Sequence, residues 1–205
     1  MTKISKLPIS LCKKEVLRYL GYKPHKSNLS PRVLELTDEM MDKAQLIIQP
    51  RGIFKTLEIT NIQNNIILFS DDEIRLKGAG MADFLSQCSK ASFLAVTIGS
   101  KIDMAVTELF DQGDSAKAVT LDAVGSDAVE QGVNWITRYI QNLAKSENYR
   151  TLGRRSPGYG IWPIFINKDI ANLLRVEEIG MKVLDSCQLI PRKSVMALIG
   201  WVSLK

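Results

Sequence analysis

Residues 153–163 read GRRSPGYGIWP and hold the densest chemistry in the chain. Arg154 and Arg155 each carry a guanidinium fork that can grip a carboxylate through two parallel hydrogen bonds. Ser-Pro-Gly-Tyr-Gly is turn chemistry. Pro157 fixes φ, and Gly158 and Gly160 permit φ > 0 or a close backbone approach. Such a loop can offer main-chain N–H groups to a ligand at short range. Tyr159 and Trp162 add flat faces for a planar group or a cation. On composition alone two readings stay open: a ligand-holding loop, or a packed loop with both arginines in solvent.

Glu130 is the second candidate. It lies in a proline-free stretch from about Ser115 to Lys145, which reads as one long helix. Leu121, Val124, Ala128, Trp135, Ile136, Tyr139 and Leu143 form its apolar stripe. Gly125, Ser126, Ala128 and Gly132 keep the middle of that helix small. A helical glycine costs about 0.8–1.0 kcal/mol against alanine, so something is expected to pack close there, another backbone or a ligand. Ser126, Glu130 and Asn134 share a line at i, i+4 spacing. From periodicity, Glu130 faces either solvent or a ligand.

Other chemistry is thin. KGAGMADF, 77–84, lacks the GK[ST] ending of a phosphate loop and reads as a turn into a helix. His25 is the single histidine and sits in a polar loop, so no Ser-His-Asp or Cys-His constellation is available. Cys12, Cys88 and Cys187 are odd in number and widely separated. They read as buried or idle thiols, neither a disulfide framework nor a zinc site.

Several elements must position these residues. KKEVLRYL, 13–20, is a short helix stopping at Gly21, and Ser30-Pro31 opens a second helix that ends before Pro50. Residues 53–60 and 66–70 form a strand pair around a polar turn. A short helix near 81–88, a buried strand at 91–99 and a helix closed by Gly113 precede the long helix. After the arginine loop come one or two helices with a break at Gly180, then strand-like stretches at 186–190 and 194–201. Strands and helices mix without a βαβ rhythm, so the expected class is α+β with a largely antiparallel, twisted sheet and flanking helices. The 205 residues suit one domain, 1–205, with 1–60 a looser N-terminal portion.

Hydrophobic residues are 45% and charged residues 24%, an ordinary globular balance that argues against disorder. The longest apolar runs fall far short of the ~20 residues a bilayer needs, and the N-terminus has no apolar stretch of signal-peptide length. The expected setting is cytoplasmic, with no membrane. The net charge is +5, yet no run of lysine or arginine exceeds two, which argues against nucleic acid.

RRSPGYGIWP resembles the RxxPGYP-type S-adenosylmethionine-binding motif of the activation (reactivation) domain of cobalamin-dependent methionine synthase. LDAVGSDAVEQ, 121–131, is similar to the segment that carries that domain's functional glutamate. SCQLIPRKSVMALIGW, 186–201, is similar to its C-terminal strand pair, and TIGSKID, 97–103, fits small stand-alone relatives. The likeness covers roughly 90–201 well and the N-terminal part loosely.

The resemblance implies that Arg154 contacts the carboxylate end of S-adenosylmethionine and that Glu130 lies near the ligand. Ser156 and Gly158 fall where main-chain groups line it, and Tyr159 faces the corrin. No contact is implied for Arg155. A role is implied as well. The chain would support the reductive methylation of cob(II)alamin, with an electron from a flavodoxin- or ferredoxin-like donor. The chain lacks a DxHxxG corrinoid loop, since His25 sits in KPHKSN, and it lacks the cysteine trio of the homocysteine site. Cobalamin must therefore arrive on a partner, a methionine synthase core or corrinoid protein. Gly160 stands where the motif has its second proline. Two alternatives remain: a non-catalytic module that docks on a corrinoid protein with a degenerate or different ligand site, and an anion or nucleic-acid binder driven by the positive charge.

Overall fold

A computed structural model describes residues 1–23, 29–70, 74–160 and 162–204; the polar-loop reading of His25 lies outside these described residues. Nine strands and six α-helices order the described chain. The first half contains β1 (Thr2–Ile4), α1 (Lys13–Tyr19), α2 (Pro31–Ile47), β2 (Arg51–Gln63), β3 (Ile66–Phe69), β4 (Arg75–Lys77), α3 (Ala79–Leu85) and β5 (Lys90–Thr97). The second half contains α4 (Lys101–Asp111), α5 (Ser115–Ser146), β6 (Tyr149–Thr151), α6 (Ile166–Leu174), β7 (Lys182–Val183), β8 (Leu189–Ile190) and β9 (Ser194–Ser203). A 3₁₀ turn, Val176–Ile179, follows α6 and stops at Gly180, the break expected there.

The strands pair in the order β4-β3-β2-β5-β9-β6, with β1 added beside β2. Every pairing in this sheet is antiparallel. The expected α+β class with an antiparallel sheet is what the chain adopts. β2 changes register between Ile59 and Asn61, and this irregularity lets one long strand pair with β5 and then with β3, curling the sheet.

Both faces of the central strands are covered. On β9, Ala197, Ile199 and Trp201 point into one core with α5, while Met196, Leu198 and Val202 point into the other with α3 and α6. This two-sided burial explains why β5 and β9 read as continuous apolar runs rather than alternating ones. β1, β4 and β6 have three residues each, too short for a pattern.

The long helix α5 is the spine of the first layer. Asp114 caps it, its carboxylate accepting from the Lys117 N–H at 3.1 Å. At Gly52 on β2 a Cβ would collide with Ile136 Cδ1 of α5, so glycine lets the helix lie close against the sheet. The N-terminal portion packs on the same spine: Leu7, Val16, Met40 and Ala44 are buried within this core. Ser30 accepts from the Val33 N–H and Pro31 opens α2, the capping expected from sequence.

Asp127 of α5 ties the chain's first helix to the spine. Its carboxylate accepts the Cys12 N–H at 2.7 Å and the Gln131 side-chain N–H at 3.1 Å. Burial pushes its pKa above the usual carboxylate range, against the lowering effect of those two donors. The folded chain therefore holds this proton more tightly than the unfolded chain. The group's contribution to stability is largest below its unfolded pKa and is lost as pH rises through the folded value. Asp127→Asn removes the ionisation. Its stability relative to wild type, read by urea unfolding, is expected to be most favourable near neutral pH and to decline as pH falls toward 4. A difference that does not change with pH would contradict this.

Candidate functional site

The arginine loop is stitched to the edge of the sheet at both ends of a bulge. Thr151 pairs with Trp201, and the Leu152 N–H donates to the Gly200 carbonyl at 2.8 Å. Arg155 then pairs with Leu198, each donating its N–H to the other's carbonyl. Gly153 and Arg154 thus lie together opposite Ile199, one residue too many for regular pairing. Such a bulge re-aims side chains. Here it sets Arg154 against α5.

Arg154 meets Glu130 there. Its Nη2 donates to Glu130 Oε1 at 2.6 Å, with both side chains partly buried. Its other terminal nitrogen, Nη1, is buried with no hydrogen-bond partner. An uncompensated buried donor on a cation is costly. The cavity has a volume of about 470 Å³, within the usual range for small-molecule sites. Glu130, Arg154, Arg155, Ser156, Pro157 and Tyr159 form one side of it. Asn167 of α6, Leu189 of β8 and Ser194, Val195 and Met196 of β9 form the other.

The structure brings four of the five expected site residues, Glu130, Arg154, Ser156 and Tyr159, to this one cavity. Gly158 does not line it. Its N–H donates to the Trp162 carbonyl at 2.8 Å, and the Trp162 N–H returns to the Tyr159 carbonyl, closing the turn on itself. Gly158 and Gly160 have φ of +88° and +59°. Proline cannot reach a positive φ, so position 160 cannot host the motif's second proline in this loop conformation. Tyr159 stands 77% exposed at the rim, free to present its ring.

Three readings left open by the sequence are decided by the packing. Trp162 offers no face to a ligand: it is buried, edge-on to Phe84 at 5.7 Å, and anchors the loop to the core. The small residues of α5 receive no ligand either. A Cβ at Gly132 would press on Val96 and Leu7, and one at Gly125 on Ile102 and Lys193. The chain's own side chains fill those notches. The polar line also divides, since only Glu130 reaches the cavity. The Ser126 hydroxyl instead donates to the Asp122 carbonyl and accepts from Lys193 Nζ at 2.9 Å.

Lys193 serves the site indirectly. Its Nζ also pairs with Asp122 at 2.9 Å, while the neighbouring Arg192 N–H donates to Asp103 at 2.7 Å. Burial raises the pKa of Asp103, opposed by that backbone donor. These bonds from α4 and α5 fix the turn just ahead of Ser194–Met196. Asn167 had no signal in the sequence. It is buried, and its side-chain N–H donates to the Cys187 carbonyl at 3.0 Å, joining α6 to the β7–β8 turn beside the cavity.

Arg155, for which the resemblance implies no contact, is exposed and stands in the lining of the cavity. Its guanidinium lies over the Phe84 ring at 5.0 Å, a cation–π contact that holds it in place. Among the described residues no three histidine, cysteine, aspartate or glutamate side chains gather where they could hold a metal ion. Cys88 is buried, and burial pushes its thiol up to about 11. No helix among the described residues is long and apolar enough to cross a membrane.

Thirteen chains of solved structures match this fold. One is a crystal structure of the MetH reactivation domain bound to AdoHcy, with a TM-score of 0.68 and 19% sequence identity. The match covers 95% of this chain and 78% of that one. No protein-family model matches the sequence, and no curated protein matches it. The fold expected from the arginine loop and its flanking segments is thus the fold the chain has.

Proposed function

We propose that this chain is a relative of the MetH reactivation domain that binds S-adenosylmethionine between α5, the arginine loop and β9. Its role is to support reductive methylation of cob(II)alamin carried by a separate methionine synthase core or corrinoid protein. A flavodoxin- or ferredoxin-like protein supplies the electron. The observation that carries this reading is the Arg154–Glu130 ion pair, a cation and a carboxylate side by side in the lining of one cavity of ligand size. An amino-acid zwitterion fits that pair. Its carboxylate meets Arg154 and its ammonium meets Glu130.

The methyl and the redox chemistry belong to the methyl donor and to cobalamin; the residues here bind and orient. Glu130 and Arg154 hold the amino-acid end of the donor. Ser156 and the floor at Ser194–Met196 bound the rest, and Tyr159, exposed at the rim, is the residue this reading turns toward the corrin. No acid or base on the chain is required, because positioning is the protein's contribution.

A second reading drops the transfer: a module that docks on a corrinoid protein with a degenerate or different ligand site. The positive φ of Gly160 favours it, because the loop departs from the motif at that point. One experiment separates the two. Labelled S-adenosylmethionine is mixed with the protein, a corrinoid protein and a cobalt reductant, and the label on cobalamin is followed. Label transfer that depends on the chain is expected. Absence of transfer with association to the corrinoid protein would leave only the docking module, and a chain that neither transfers the label nor associates with the corrinoid protein would remove both.

A further inference from the structure

Asn167 is buried, only 6% exposed, yet it lines two cavities at once. One is the cavity of about 470 Å³ shared with Glu130 and Arg154. The other, of about 430 Å³, adjoins it through Asn167, Leu189 and Ser194. An asparagine amide has a donor end and an acceptor end. Here the donor end is taken, since Nδ2 donates to the Cys187 carbonyl at 3.0 Å. A flip of the amide would set Oδ1 against that carbonyl oxygen, so the bond fixes which end is which. The acceptor end is free: Oδ1 accepts no hydrogen bond from any described residue. It is not sealed in either. Among the described residues the buried side-chain atoms without a partner are Arg51 Nε, Thr137 Oγ1 and Arg154 Nη1, so Oδ1 keeps accessible surface. A buried, locked amide thus offers one unsatisfied acceptor where the two cavities meet.

With the amino-acid end of the ligand at Glu130 and Arg154, the far end is its adenine. Ile164, Leu189 and Ile190 line the second cavity and give a flat base apolar surface to pack on. Adenine carries an amino group at C6, which donates; a 6-oxo purine carries an acceptor at the same place. We infer that Asn167 is a specificity-determining residue whose locked Oδ1 accepts from the adenine amino group and excludes a 6-oxo purine. This rests on the ligand reading proposed above. The exclusion follows from the bond to Cys187. A 6-oxo base sets oxygen against oxygen, and the amide cannot turn to donate without breaking its own hydrogen bond. A site built to pair one polar group discriminates strongly against an analogue that leaves it unpaired. For a single buried hydrogen bond the preference is about ten- to a hundredfold.

The test is calorimetric titration of wild type, Asn167→Ala and Asn167→Ser with AdoHcy and with S-inosylhomocysteine, its 6-oxo counterpart. Wild type is expected to bind AdoHcy about ten- to a hundredfold more tightly. Asn167→Ala removes the acceptor, and Asn167→Ser supplies a hydroxyl that can donate or accept. Both bring the ratio close to one, whatever affinity is lost by freeing the β7–β8 turn. If Asn167 served only that turn, its loss would weaken both ligands together and leave the ratio as in wild type, which overturns the inference. Equal affinities in wild type, the result if a ribose hydroxyl meets Oδ1 instead of the base, also overturn it while the ligand site stands. Binding of neither compound to wild type removes the ligand site itself and the inference with it.

Discussion

Arg154→Ala is expected to weaken S-adenosylmethionine binding by about a hundredfold or more, close to 3 kcal/mol. Two losses combine. The ligand carboxylate loses its charged donor, the guanidinium of a residue that lines the cavity. Glu130 loses the cation that neutralises it at 2.6 Å, so the cavity presents a bare carboxylate to an incoming carboxylate. Arg154→Lys should recover little, because a lysine ammonium is a point charge and cannot satisfy Glu130 and a ligand in the fork geometry. Adding Glu130→Gln to Arg154→Ala should restore part of the affinity by removing the repulsion, a non-additivity that a double-mutant cycle resolves. Isothermal titration of wild type, Arg154→Ala, Arg154→Lys, Glu130→Gln and the double variant checks this. An Arg154→Ala protein that binds like wild type would mean that the loop holds the motif's residues without its ligand.

The arginine loop illustrates what a sequence can and cannot disclose. Arg154 and Glu130 are legible as a pair because their types suit a zwitterion and because both fall in segments resembling one family. Their approach depends on a bulge opposite Ile199, and a bulge is a property of the strand pairing rather than of the loop's own residues. Tyr159 and Trp162 carry the same signal in composition, yet one is exposed and the other buried. The difference arises from Phe84, 78 residues away from Trp162 along the chain, which no local pattern connects to it.

The helices and long strands behave differently. α5 follows from its apolar period and lack of proline, and β5 and β9 from their continuous apolar runs. The edge strands β1, β4 and β6 have no such pattern, since each forms only because a longer strand is already there to pair with it. The small residues of α5 signal a close approach, and a close approach is there. Whether a ligand or the chain's own side chains fill a notch is decided by the tertiary fold, here by Val96, Leu7, Ile102 and Lys193. Asn167 illustrates the same limit, because its partner is a main-chain carbonyl in a turn that the sequence does not place beside α6.

Trp201→Ala is expected to cost about 3–5 kcal/mol of folding stability, the range for removing a large aromatic side chain from a packed core. Trp201 is fully buried on β9, edge-on to Tyr149 at 5.8 Å. Its indole N–H donates to the Ser92 hydroxyl at 2.8 Å, and Ser92 in turn meets the Thr56 hydroxyl at 2.7 Å. This relay runs across three adjacent strands, β9, β5 and β2, through a site where Ser92 is also fully buried. Truncation therefore opens a cavity and removes a donor from a buried hydroxyl. For a chain of this size the melting temperature should fall by roughly 10 °C or more. Trp201→Phe keeps most of the volume and loses the donor, at about 1–2 kcal/mol. The two variants also separate stability from binding. The arginine loop is held to β9 by main-chain bonds, from Leu152 to Gly200 and between Arg155 and Leu198, and these do not involve the indole. Trp201→Phe, where folded, should therefore bind S-adenosylmethionine as wild type does, whereas Arg154→Ala should melt near wild type and fail to bind. Thermal unfolding followed by circular dichroism, set beside titration of the same samples, reads both. A Trp201→Phe protein that is folded but cannot bind would mean that the cavity's shape depends on the sheet core more deeply than its main-chain stitching indicates.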